Sequence, residues 1–97
     1  MIKLEAKQLE IVNAILRAHV PDCEVRVFGS RASGNPKPFS DLDLVLLSPA
    51  PLSDKTISAL QEAFSESALP IRVDLLDWAT LSAEFQNIIQ KQWQPLC

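Results

Sequence analysis

Ninety-seven residues, with nine Lys and Arg against twelve Asp and Glu for a net charge of −3, make one domain (residues 1–97) near the lower size limit for a self-sufficient core. Hydrophobic residues at 47% beside 22% charged ones fit an ordinary globular chain, and the scattered basic residues argue against long nucleic acid as a substrate. With no signal peptide, no apolar run fit to span a bilayer, and Cys23 and Cys97 in neither metal-ligand nor disulfide spacing, the expected setting is cytoplasmic with reduced thiols.

The first helix is expected from about Leu4 to Ala18. Leu9, Val12 and Leu16, flanked by Ile11 and Ile15, recur at three- and four-residue spacing, and Pro21-Asp22 ends the run. His19 reads as a surface residue at its C-terminal end. A strand over Glu24–Phe28 then stops at Gly29-Ser30, where a glycine lets backbone approach a ligand closely. Arg31-Ala32-Ser33 is expected to make one helical turn, its dipole aimed at a phosphate, and the segment from Gly34 to Phe39, with two prolines, to be a surface loop.

The second strand is expected over Asp41–Leu47, its lower half buried on both faces. Side chains alternate along a strand, so Asp41 and Asp43 share a face, about 7 Å apart. Two carboxylates so placed repel unless a cation separates them, and oxygen-only ligands select a hard ion such as magnesium. Ten residues separate Ser30 from Asp41, enough for a loop that sets the Gly-Ser turn beside the carboxylate pair. Backbone N–H groups and a hydroxyl hold phosphate oxygens, and a metal bridges those oxygens to carboxylates, so a nucleotide satisfies both halves.

Ser48-Pro49-Ala50-Pro51 breaks the strand, Ser53 caps a second helix with Asp54 in its first turn, and Pro70 bars its continuation. Ile57, Leu60, Ala63 and Phe64 form its apolar stripe. A third strand, Ile71–Leu76, points Arg72, Asp74 and Leu76 to one side. Aspartate inside an apolar strand needs a partner, and a salt bridge to Arg72 or Arg26 is one reading of it. Asp77 is expected to begin the next helix. That helix, from Leu81 or Ser82 to Trp93, carries Phe85, Ile88, Ile89 and Trp93 as a core stripe, with Trp93 and Leu96 near the end as residues able to pack on a partner.

Gly29-Ser30-Arg31-Ala32, the ten-residue spacing and Ser40-Asp41-Leu42-Asp43-Leu44 together resemble the signature of the DNA polymerase beta nucleotidyltransferase superfamily. They are most similar to its small prokaryotic branch, the minimal nucleotidyltransferases. The element order helix, strand, strand, helix, strand, helix agrees with that α/β core, a small mixed β-sheet covered by helices. In that pattern a third carboxylate comes from the strand beside the D-x-D strand, and Asp74 matches it. The resemblance implies transfer of AMP from ATP. Asp41, Asp43 and Asp74 would then hold two magnesium ions (or manganese), Asp74 would take the acceptor proton, and Gly29, Ser30 and Arg31 would hold the β- and γ-phosphates.

Members resembling this chain are commonly paired with a small helical HEPN-type protein, often a ribonuclease toxin, and the active ones adenylylate that toxin on tyrosine as antitoxins. This chain has no tyrosine of its own. A domain of this size needs a further surface to select an acceptor, from a partner or from self-association. Ser33 stands where such proteins often carry a second arginine. That departure favours the other class of function, a non-catalytic module that neutralises its partner by contact.

Overall fold

The computed structural model describes residues 4–29 and 41–96. Helix α1 (Ala6–His19) opens with a capping box in which the Glu5 N–H donates to Gln8 Oε1 at 3.4 Å, and it closes with the Val20 N–H on Leu16 O at 2.7 Å. Strands β1 (Glu24–Phe28) and β2 (Leu42–Leu47) follow, then α2 (Asp54–Ser65), whose N-cap Ser53 accepts from the Thr56 N–H at 3.1 Å. Strand β3 (Val73–Asp77) leads through a 3₁₀ turn (Trp78–Thr80) to α3 (Ala83–Gln90), capped by Ser82, and to a two-residue strand β4 (Gln94–Pro95).

The strands form one mixed sheet in the order β3-β2-β1-β4. β1 runs antiparallel to β2 and β4, while β2 and β3 are parallel, as the helical crossover through α2 requires. Leu42, Leu44 and Leu46 are fully buried on one side and join Val12, Leu16, Val27, Leu60 and Phe64 in the main core, so α1 and α2 cover that face. Each such leucine contributes about 1.5–3 kcal/mol by leaving water. By alternation Asp43 and Val45 face the other way. There Trp93 lies 5.0 Å from Trp78, and the Arg26 guanidinium sits 4.3 Å above the Trp93 ring. Among the described residues no helix is long and apolar enough to cross a membrane.

The structure moves several sequence expectations. β2 starts at Leu42, leaving Asp41 just outside it, and β3 starts two residues later than its apolar run. Asp77 does not open a helix. It ends β3 and caps the 3₁₀ turn, its Oδ1 accepting from the Ala79 N–H at 3.2 Å and its Oδ2 from the Leu52 N–H at 2.8 Å. Both oxygens are thereby satisfied, which makes its burial tolerable. Helix α3 ends at Gln90, three residues before the expected Trp93, and of its stripe only Ile89 is buried, while Phe85 and Ile88 are 40% and 65% exposed. Leu96 packs into the main core, and Trp93 packs onto Trp78 and Arg26.

Candidate functional site

Strand register builds the site. Asp43 of β2 pairs across the sheet with Phe28 on one side and Asp74 on the other, so both carboxylates leave the same face in the same row. That face is the one turned away from α1 and α2, and it also carries Val45 and Arg26. Asp43 lies within hydrogen-bonding reach of Asp74 and is half-buried. Its carboxyl is pushed up to about 6, first by burial and then by the charges of Asp74 and Asp41.

Gly29 closes the row. Its φ is +76°, a left-handed conformation that suits glycine. A Cβ at this position would also overlap Asp43 Oδ2. The sequence predicts a ligand's approach at Gly29, and the group the structure places there is the Asp43 carboxyl. The turn holds that carboxylate against the end of β1 and so fixes where it points.

Asp41 stands one residue before β2, exposed, near enough for its charge to act on Asp43. Among the described residues, no three acidic, imidazole or thiolate side chains converge on one point, so the structure joins Asp43 to Asp74 but does not close a three-carboxylate cluster. Asp74 also takes Arg72, with Nε 3.2 Å from Oδ1. Of the two arginines considered as its partner, Arg26 goes elsewhere, its Nη2 lying 2.7 Å from Glu24 Oε1. Ser30, Arg31 and the helical turn and loop expected over 31–39 lie outside the described residues.

The pair fits a divalent cation on its own chemistry. Two adjacent oxygen donors, one with its charged form disfavoured by its neighbours, form a site that a hard cation relieves. Without the cation the sign of the pH effect follows. An Asp43 carboxyl raised above its unfolded value of about 4 keeps a proton that the unfolded chain releases. The stability this supplies is complete below about pH 4 and is lost as pH rises through about 6. Solvent screens this half-exposed group, so the effect is on the order of 1 kcal/mol. Asp43→Asn should therefore raise the melting temperature in chelator at pH 7.5 by roughly 4–8 °C relative to its effect at pH 4. An equal effect at both pH values would contradict the proposed repulsion.

Comparison with known proteins gives one consistent picture. The family model described as nucleotidyltransferase domain matches residues 9–94. A Haemophilus influenzae protein named a probable protein adenylyltransferase, MntA, is 51% identical over 90 residues, covering 93% of this chain and 79% of that protein. A crystal structure of a toxin-antitoxin with AMP-PNP contains a chain that is 26% identical with a TM-score of 0.77, over 92% of this chain and 72% of that one. A chain in the complex of tri-AMPylated Shewanella oneidensis HEPN toxin with MNT antitoxin shares the fold, with 22% identity and a TM-score of 0.73, over 97% of this chain and 72% of that one.

Proposed function

This chain belongs to the nucleotidyltransferase domain family, and we propose that its reaction is the transfer of AMP from ATP to a hydroxyl of a partner protein, a HEPN-type toxin that it thereby neutralises. The observation that carries the reading is the row Gly29, Asp43, Asp74, two carboxylates side by side on one sheet face with a glycine closing the row. The 51% identity to a probable protein adenylyltransferase supports the acceptor class. The absence of tyrosine from this chain means that an acceptor tyrosine must come from outside.

In this reading Asp43 and Asp74, with Asp41 at the entrance, would hold magnesium, whose charge would offset that of the triphosphate when bound. Gly29, Ser30 and Arg31 hold the β- and γ-phosphates, keeping the leaving group in line. The acceptor oxygen bonds to the α-phosphorus as the α–β bridging bond breaks. Pyrophosphate leaves with that bond's electron pair, and the acceptor proton passes to Asp74. Docking of the partner makes the attack effectively intramolecular, which is where a small domain gains most of its rate.

A thermal-shift titration tests the nucleotide site. Magnesium alone should shift the midpoint little, and magnesium with ATP much more, because the triphosphate supplies ligands that two carboxylates lack. At ~100 Kd of free ligand the linkage is ~2.7 kcal/mol. Asp43→Asn should remove the synergy; identical shifts in wild type and variant would contradict the assignment.

A further inference from the structure

Beyond Asp74 the sheet ends, since β3 has β2 as its one partner among the described residues. The Leu42 N–H donates to Arg72 O at 2.8 Å, so the backbone groups of Arg72 and, two residues on, Asp74 turn toward β2. Backbone groups alternate sides along a strand, which turns the N–H and C=O of Val73 and Leu75 outward, off the edge. No strand of the described residues meets them there. Such an edge is a template for another strand.

Charge and register select which strand fits. Arg72 and Asp74 stand on either side of Val73 and bridge each other at 3.2 Å, with side chains 76% and 40% exposed. A copy of β3 laid antiparallel, Val73 opposite Val73, meets three requirements together. The two outward-facing valines exchange both backbone hydrogen bonds, and each Leu75 does the same with the copy's Ile71. Arg72 falls opposite the copy's Asp74 in a pair without hydrogen bonds, where Cα atoms come within about 4.5 Å and side chains are nearest. On the α2 side, the copy's Leu75 meets Ile71 at the mouth of a cavity of about 510 Å³ lined also by Phe64 and Leu69. Centring the pair on Asp74 would set carboxylate against carboxylate, and centring it on Leu75 would set Asp74 against Leu76.

We infer that the β3 edge is a self-association surface, through which two copies join about a two-fold axis with Val73 on Val73. Each Arg72 then lies between its own Asp74 and the copy's, an exchange that costs little because an exposed pair contributes little by itself. Two four-stranded sheets become one, and both carboxylate rows open on the same face of it. The edge is short against the ~1,200–2,000 Å² that a stable interface buries, so the dimer is weak, with a Kd on the order of 100 µM. It forms whether or not the chain transfers AMP.

Sedimentation of the full chain in chelator, from about 10 µM to about 1 mM, tests this and should show a monomer–dimer equilibrium. Arg72→Asp leaves only acids beside Val73 and Asp74→Arg only bases, so each variant alone should dimerise at least about tenfold more weakly than wild type. Mixed in equal amounts they should associate, because every acid then faces a base across the axis, a rescue that no role of the pair within one chain produces. In the wild type, amide exchange at Val73 and Leu75 should slow as concentration rises. A wild type monomeric throughout, variants that dimerise as it does, or a mixture that stays monomeric would overturn the surface. So would a dimer that Ile88→Glu on α3 abolishes while the Val73 and Leu75 amides exchange equally at all concentrations.

Discussion

Asp43→Asn is expected to lower AMP transfer to the partner by about 10³-fold while making the metal-free fold more stable at neutral pH. The loss follows from removing a metal-holding charge worth several kcal/mol in the transition state, at about 1.4 kcal/mol per tenfold of rate. The gain follows from removing a carboxylate that burial and its acidic neighbours push up to about 6. Activity and stability moving in opposite directions mark a group kept for function at a cost to the fold. Single-turnover transfer and melting in chelator give the two readouts. A variant with wild-type transfer, or one less stable at pH 7.5, would place the function of Asp43 in the structure alone.

Gly29→Ala is expected to do as much damage by a different route. An alanine at φ +76° costs about 1–2 kcal/mol in backbone strain. Its Cβ would also overlap Asp43 Oδ2, so the carboxylate must turn out of its row or the end of β1 must shift. Either movement misplaces the charge the reaction depends on, and transfer should fall by roughly 10²-fold or more. The two causes separate in a double-mutant cycle. In an Asp43→Gly background, Gly29→Ala should cost the backbone term alone, leaving a coupling energy that urea denaturation can resolve. Additive effects would show that the alanine never meets the carboxylate.

The row at the centre of the site was legible because its parts obey short-range rules. Leu42, Leu44 and Leu46 alternate with Asp43 and Val45, which fixes β2 and puts the carboxylate on the opposite face from the core. Val25 and Val27 ending at Gly29 mark β1 and its stop. An acid inside an apolar strand announces only that Asp74 needs a partner, and Arg72 is one of the two expected; its place in the site comes from the family resemblance.

What escaped the sequence depends on contacts between distant segments. β4 is two residues, Gln94 and Pro95, too short for any alternation to show. Leu96 reads as a loose end until the sheet brings it into the main core. Phe85 and Ile88 keep helical spacing with Ile89, yet of the three only Ile89 is buried against the rest of the fold. The bond that Asp77 Oδ2 accepts from the Leu52 N–H ties β3 to the loop before α2, 25 positions away, and no local pattern announces it. The overlap between Gly29 and Asp43 is of the same kind, since it exists only once β1 and β2 are in register.

The central claim is that the carboxylate pair transfers AMP to a partner protein, and intact mass of that partner tests it most directly. The chain is incubated with the product of its neighbouring gene, ATP and magnesium. The partner is expected to become heavier by one or more AMP units, this chain to keep its mass, and Asp43→Asn to abolish the modification. A stable complex with a partner of unchanged mass, whose neutralisation survives Asp43→Asn, would contradict the transfer and leave a module that acts by contact.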